Sequence, residues 1–273
     1  MAKIQIEPVT IYQRFELEPG KTEYKFTFGE DSSNSEENEI LFSFGELDIV
    51  RKLLTNSTLC YQFFRSVGIE YPNCWIGIEI KTKDLIPEWP HSKPGDLDII
   101  AGNFLKGDGA IDTNSAIGFQ VKIRKIESIN TLKAFSTGFG RKQTSKTVEM
   151  GFTRTYLTHA IIRKPRAVEP GQSISWGAPH NADFNDAIVR SLGSIYDDIE
   201  NAPFGYNVLG WGQPKGMDWR TGGAFSSSVL KEAPKILDNS LNPFQKTLFN
   251  SLKTIFSGQR EVNKPLIIDG SSF

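Results

Sequence analysis

The sequence predicts an α/β protein in which a helix precedes three strands, and a second helix and a fourth strand follow them. Three observations predict it. Residues 44–68 space their apolar side chains as a helix does, three strand-like segments lie between residues 74 and 125, of which the first and third alternate with a two-residue period, and a β-branched segment closes this region near residue 163. A helix packed on a sheet is an α/β layer arrangement.

Length and composition fit this class. The chain has 273 residues, of which 38% are hydrophobic and 23% charged, as in ordinary soluble globular proteins. We find no apolar run long enough for a membrane span and no apolar leader in the opening MAKIQIEPVT, so we expect no membrane association and no secretion. The two cysteines are too few for a disulfide framework, which favours a reducing, cytoplasmic location.

The first predicted helix follows an N-terminal segment of different character. Residues 1–43 predict one or two strands, from the alternation in YKFTFG, and an acidic loop, EDSSNSEENE. The helix then runs through residues 44–68 with Ile49, Leu53 and Leu54 on one face, and we expect it to pause near Asn56.

The three strands predict a sheet with one apolar face. The first, CWIGIEIKT, places Ile76, Ile78 and Ile80 on one face and Glu79 on the other. The second is DLDIIAGN. The third, AIGFQVKIRK, puts its apolar residues on one side and its polar or small residues on the other: Ile117, Phe119, Val121 and Ile123 against Gly118, Gln120, Lys122 and Arg124.

The rest of the chain continues the pattern. We predict a helix from about Asn130 to Met150, in which Gly138 and Gly140 indicate a late start or a break. The strand RTYLTHAIIRKP completes a domain over residues 44–166. Residues 167–273 predict a C-terminal extension packed on that domain, with a helix in ADFNDAIVRSLGSIYDDIENA, a strand in FGYNVLGWG and an amphipathic helix in NPFQKTLFNSLKTIF.

Polar side chains fall on neighbouring predicted strands. An isolated buried charge is costly unless it is paired or binds a metal, so their common placement needs a reason. Carboxylate and amide oxygens suit a hard cation such as Mg²⁺ or Mn²⁺, and an adjacent ammonium suits a phosphate. The candidate metal ligands are Asp98, Asp96, Glu79 and Gln120, with Lys122 beside them.

These residues carry a resemblance to a known family. The pattern PGDLDII followed by FQVKI resembles the PD-(D/E)XK nuclease superfamily over roughly residues 44–163. The resemblance implies a restriction-endonuclease-like core: a mixed sheet flanked by helices, here with N-terminal and C-terminal additions. Asp98 matches the catalytic aspartate, with Asp96 as the alternative, and Gln120-Val121-Lys122 matches the acid-x-Lys position.

The chain departs from the family where Gln120 replaces the second acid. An amide oxygen can coordinate a cation but brings no charge. Glu79, or Glu46 at the start of the first helix, could compensate. Some family members carry a glutamine on the helix after the third strand, and Gln143 matches it here.

A basic excess predicts a polyanionic partner. Residues 121–166 contain eleven Lys or Arg and two acids, although the whole chain has a net charge of −1. We expect phosphate contacts from this region, which position nucleic acid without reading its sequence. The candidate residues are Arg124, Lys125, Arg141, Lys142, Gln143 and Lys146.

Together these patterns predict a metal-dependent nuclease acting on DNA, in restriction, phage defence, repair or mobile-element processing. The catalytic candidates are Asp98, Gln120, Lys122 and Glu79. The neutral Gln120 supports an alternative, an inactive nucleic-acid-binding or assembly protein with the same fold. A small-molecule enzyme on an unrelated α/β scaffold is a third reading, and a homo-oligomer or a subunit of a larger complex is an open expectation.

Overall fold

The computed structural model describes residues 45–54, 57–71, 74–91, 96–107, 109–126, 138–163, 199–212, 224–236, 242–256 and 267–268. The strands and acidic loop expected in residues 1–43 lie outside the described residues, as does nearly all of the helix expected in residues 182–202.

Five helices and seven strands make up the described part of the chain. The helices, in chain order, are α1 (Glu46–Leu54), α2 (Ser57–Ser66), α3 (Thr82–Leu85), α4 (Gly138–Glu149) and α5 (Gln245–Phe256). The strands are β1 (Cys74–Lys81), β2 (Asp96–Asn103), β3 (Ile117–Ile126), β4 (Arg154–Arg163), β5 (Gly205–Gly212), β6 (Ala224–Lys231) and the short β7 (Ile267–Ile268). A 3₁₀ turn at Thr113–Ser115 precedes β3.

All seven strands belong to one mixed sheet, in the order β6-β5-β4-β3-β2-β1-β7. The first three strands form an antiparallel meander, whereas β3, β4 and β5 are parallel. The chain passes from β3 to β4 through α4, which supplies the crossover that parallel neighbours require. The predicted α/β class, with a mixed sheet flanked by helices, is therefore confirmed.

Helices cover both faces of the sheet. On one face, α1 and α2 bury their apolar side chains against β1, β2 and β3, through Ile49, Leu53, Phe63, Phe64, Ile76, Ile99 and Phe119. The other face packs against α5 and the segment that follows α4, through Trp75, Ile100, Met150, Phe152, Leu248 and Phe256. The result is three layers, helix on sheet on helix, in which β5 and β6 extend the sheet from the C-terminal part of the chain.

Aromatic packing ties α2 to the middle of the sheet. The ring of Phe119 on β3 lies 5.1 Å from that of Phe63 on α2 and 5.7 Å from that of Tyr156 on β4, measured between centroids. Burying a side chain of this size stabilises a fold by about 1.5–3 kcal/mol. The packing holds β3 in place directly next to Gln120, the polar residue that follows Phe119.

The predicted face of β1 is wrong for one residue. Ile76 and Ile78 pack on the α1–α2 face as expected, but Ile80 packs on the opposite face. The cause is Glu79, whose φ of 50° lies in the left-handed region and breaks the two-residue alternation. The predicted faces of β3 are confirmed, because Ile117, Phe119 and Val121 all pack in the α1–α2 cluster.

The helix expected from about Asn130 to Met150 is described in part, because residues 130–137 lie outside the described residues. α4 runs from Gly138 to Glu149, and Gly140 in its first turn has a φ of 88°, so the irregularity expected at these glycines is present. In the part of the chain that the structure describes, none of the helices has the length and apolar character to cross a membrane.

Candidate active site

Strands β2 and β3 separate at one end, and the candidate site lies at this fork. Their ladder pairs only Ile99–Ala101 with residues 117–119. On either side the sheet continues, because β1 pairs with β2 as far as Asp96 and β4 pairs with β3 along its whole length. The fork therefore opens inside the sheet rather than at its edge.

Two side chains bridge the fork where ladder bonds are missing. The Asp98 carboxylate accepts the backbone N–H of Val121 through Oδ2 at 2.7 Å. The Gln120 amide donates from Nε2 to the backbone carbonyl of Asp96 at 3.4 Å. The strands are thus joined by one carboxylate and one amide, both of which are predicted site residues.

Lys122 passes through the fork from one helical layer to the other. Its stem lies against Gly140 on the α4 side, where a Cβ added at Gly140 would come within 2.8 Å of Lys122 Cγ. Its ammonium donates to Glu46 Oε2 on α1, in the opposite layer, at 2.7 Å. The same ammonium lies 4.0 Å from Asp98 Oδ2. Two carboxylates from different elements therefore face one buried lysine.

A cleft of about 360 Å³ opens over these groups. Its walls come from α1, from the three meander strands and from α4: Glu46, Leu47, Val50, Glu79, Asp96, Asp98, Lys122 and Gln143. The structure thus brings Asp98, Asp96, Glu79, Lys122 and Gln143 together around one cavity. Gln120 is not among the residues that line it.

The electrostatics of the cleft centre on Asp98. Burial raises the pKa of this carboxyl group to about 7, although the Lys122 ammonium and the Val121 N–H act in the opposite direction. The nearby carboxylates Glu46 and Glu79 raise the pKa further. A carboxyl group with a pKa near neutrality, placed in a cleft with a specific charged partner, is typical of functional sites.

Glu79 has a strained backbone. It is the one non-glycine residue with a positive φ among the described residues. In the β1–β2 register it stands opposite Asp98, between the pairs Ile78–Ile99 and Ile80–Leu97. A left-handed residue costs of order 1–2 kcal/mol and persists where the surroundings hold it, often at functional sites. Here the residue with the left-handed backbone lies within β1 and lines the cleft.

Gln120 lies behind the cleft and is almost fully buried. Besides Asp96, its Nε2 donates to Thr147 Oγ1 on α4 at 3.2 Å. Its Oε1 is buried and makes no hydrogen bond within the described part of the chain. A buried acceptor without a donor is costly, so this oxygen is a candidate ligand atom.

The predicted basic residues fall into two groups. Arg124 and Lys125 lie in the second half of β3, whereas Arg141, Lys142 and Lys146 lie on α4 with Gln143. Lys125, Arg141 and Lys142 are exposed, and Arg124 and Lys146 are partly buried. Of this set the structure places only Gln143 on the cleft itself.

The structure also bears on the predicted metal. No group of three or more His, Cys, Asp or Glu side chains is arranged to hold a metal ion within the ranges that the structure describes. The carboxylates of Glu46, Glu79 and Asp98 line one cleft without converging on one point. A cation here would depend on one or two carboxylates and on ligands from water or substrate, as Mg²⁺ usually does.

Sequence reasoning missed Thr147 and the apolar wall of the cleft. Thr147 lies four residues after Gln143, one helical turn along α4, and its hydroxyl donates to the Gln143 carbonyl at 3.3 Å. The i, i+4 spacing of polar residues on one helix face was the available signal. Leu47 and Val50, which follow Glu46 on α1, gave no signal beyond ordinary helix amphipathicity.

Comparison with known proteins adds no assignment, because neither a protein-family model nor a curated protein matches this chain.

Proposed function

We propose that this protein is a metal-dependent nuclease that hydrolyses DNA phosphodiester bonds. The observation that carries the proposal is that Asp98, Glu79 and Lys122 line one cleft at the fork between β2 and β3, with the Lys122 ammonium 4.0 Å from Asp98 Oδ2. The element order supports it as well. A helix, an antiparallel three-stranded meander, a crossover helix and a parallel fourth strand agree with the restriction-endonuclease-like core that the sequence motif implies.

The residues present fit a hard divalent cation, Mg²⁺ or Mn²⁺. Asp98 and Glu79 offer carboxylates to the cleft, and Gln120 Oε1 is a buried acceptor that lacks a donor among the described residues. Two carboxylates with water and substrate phosphate suffice for Mg²⁺. The chemistry that such an ion supplies is activation of a water and neutralisation of phosphate charge.

The protein's own residues prepare this chemistry. The Val121 N–H fixes Asp98 through Oδ2, so Oδ1 is the carboxylate oxygen that remains for binding. Lys122 places a positive charge beside Asp98, where it would stabilise the negative charge that develops on the phosphate. Glu46 holds the lysine from α1. The exposed Arg141 and Lys142 on α4 would contact the DNA backbone.

Cleavage of plasmid DNA in Mg²⁺ or Mn²⁺ tests the proposal. We expect Asp98→Ala and Lys122→Ala to reduce the rate by about 100-fold or more, since each removes charge that stabilises the transition state. The matched control is Glu70→Gln, because Glu70 is exposed and lies outside the cleft. Equal cleavage by wild type and both cleft variants would end the proposal.

A second function is favoured by two observations. The described residues contain no three-residue group arranged for a metal, and the position of the second acid carries the neutral Gln120. A DNA-binding or assembly protein without turnover would show salt-sensitive DNA binding that does not depend on metal. Calorimetry separates the two functions, because the nuclease should take up Mn²⁺ in a manner that Asp98→Ala abolishes.

A further inference from the structure

The fork between β2 and β3 depends on a hydrogen-bond donor at position 120. Where the ladder ends, the Gln120 Nε2 group donates to the Asp96 carbonyl at 3.4 Å and to Thr147 Oγ1 at 3.2 Å. These two bonds join β3 to the start of β2 and to α4. The amide therefore acts at the point where three elements meet beneath the cleft.

A carboxylate could not make the same contacts. An ionised glutamate has acceptors only, so it would place a negative oxygen against the Asp96 carbonyl oxygen. The Thr147 hydroxyl could turn from the Gln143 carbonyl to donate to that carboxylate, but the Asp96 carbonyl would still lose its donor. The added charge would also be buried, since only 2% of Gln120 is exposed.

The same contacts fix which way the amide points. In a reversed amide, Oε1 would face the Asp96 carbonyl, and two acceptors would repel each other. With Nε2 held by Asp96 and Thr147, Oε1 is the atom that remains without a partner within the described residues. Thr147 thereby orients the Gln120 amide, which belongs to the proposed site, although Thr147 does not line the cleft.

We infer that position 120 requires a neutral amide and that Thr147 is a positioning residue that orients this amide. Through the amide, Thr147 sets the width of the fork between β2 and β3, and with it the spacing of Asp98 and Lys122. The expected effect of Thr147 on catalysis rests on the proposed function, whereas the requirement for a neutral amide at position 120 does not. The glutamine then suits its surroundings, and replacing it with the acid of the family motif should lower the thermal stability of the protein.

Thermal unfolding of the metal-free protein tests the requirement for an amide. We expect Gln120→Met, which removes the donor but adds no charge, to lower the melting temperature by about 2–4 °C, and Gln120→Glu to lower it by about 5–10 °C. The matched control is Gln62→Glu, the same chemical change at an exposed position on α2, which should leave the melting temperature unchanged.

Thr147→Val provides a milder variant if Gln120→Glu fails to fold, because valine keeps the shape and removes the hydroxyl. We expect amide hydrogen exchange at Val121 to accelerate about tenfold, because its acceptor Asp98 lies across the loosened fork, while exchange at Ala160 on β4 stays unchanged. Thr147→Ser, which restores the hydroxyl, should return Val121 to wild-type exchange.

Cleavage kinetics provide a measurement that would not change if the role of Thr147 were purely structural. Thr147→Val should lower kcat about tenfold at unchanged KM for DNA, and Thr147→Ser should restore it. A Gln120→Glu protein as stable as wild type, or unchanged Val121 exchange in Thr147→Val, overturns the inference. A wild-type protein that cleaves nothing overturns the nuclease proposal instead, and the unfolding and exchange measurements still decide this one.

Discussion

The Lys122 ammonium and the Glu46 carboxylate form a 2.7 Å ion pair between β3 and the first turn of α1, 76 residues apart in the chain. Only 9% of the lysine side chain is exposed, against 37% of the glutamate side chain. A buried ammonium needs a partner, and Asp98 at 4.0 Å is the more distant of the two carboxylates. Glu46 is therefore the group that holds Lys122 beside Asp98.

A double-mutant cycle measures this pair. We expect Glu46→Gln and Lys122→Met to show a coupling of about 1 kcal/mol in the free energy of unfolding, because the glutamate side of the pair is partly exposed. Denaturant unfolding of the wild type, both single variants and the double variant gives this value. The same cycle with Lys142→Met, an exposed lysine on α4, should give no coupling, and an equal coupling there would contradict the assignment.

The raised pKa of Asp98 predicts that the metal-free protein is less stable at high pH. Burial raises this pKa from its ordinary value of 3.8 to about 7, with Lys122 and the Val121 N–H acting against the shift and with Glu46 and Glu79 adding to it. The folded state thus binds the Asp98 proton more tightly than the unfolded chain does. The resulting stability is fully present below pH 3.8 and is lost as the pH rises through about 7.

Unfolding of metal-free wild type and Asp98→Asn across this range checks the sign. Wild type should lose on the order of 3 kcal/mol relative to Asp98→Asn between about pH 5 and pH 8. Asp112→Asn, the same change outside the cleft, should keep the wild-type profile. If the stability of wild type relative to Asp98→Asn stays constant or increases as the pH rises, the prediction is wrong.

Much of this fold follows from local patterns in the sequence. The apolar run that follows two aspartates in DLDIIAGN gives the bounds of β2 as Asp96–Asn103, and the alternation in the third segment gives the buried and polar faces of β3. The prediction for β3 succeeds because the side chains of a regular extended strand alternate between its two faces. The polar face of β3 in turn identifies Gln120 and Lys122 as candidate site residues.

Local patterns could not supply the remaining features of the site. The left-handed backbone of Glu79 has no signature in an alternating segment, so Ile80 was assigned to the wrong face. The contact between Lys122 and Glu46 requires the strands to part, which depends on tertiary packing. Strand β6 was missed because its Ser-rich segment AFSSSVLK lacks a clear apolar alternation.

The strain at Glu79 predicts an inverted preference between glycine and alanine. At a φ of 50° alanine keeps the backbone penalty and glycine removes it, so Glu79→Gly should be about 1 kcal/mol more stable than Glu79→Ala in denaturant unfolding. Both variants lose the carboxylate, so the comparison isolates the backbone. At Lys81, whose φ is −65°, alanine should be the more stable of the same two substitutions. A preference for alanine at both positions would show that Glu79 is not strained.

Gly140 predicts a substitution that disturbs Lys122 directly. Its φ of 88° is unfavourable for alanine, and an added Cβ would lie 2.8 Å from both Lys122 Cγ and Leu157 Cδ1. We expect Gly140→Ala to lower the free energy of unfolding by about 2–4 kcal/mol, from backbone strain and overpacking together. The lysine should also shift away from Asp98, so DNA cleavage should fall along with stability.

Gly107 separates the two contributions to the effect at Gly140. Its φ of 101° is also left-handed, but an added Cβ would meet nothing within 4 Å. Gly107→Ala should therefore show only the backbone cost, about 1–2 kcal/mol, and normal cleavage at a temperature where both variants are folded. If the two variants lost equal stability and both kept full cleavage, the close contact between Gly140 and the Lys122 stem would have no influence on the site. A cleavage defect confined to Gly140→Ala would instead show that α4 holds the lysine in the fork.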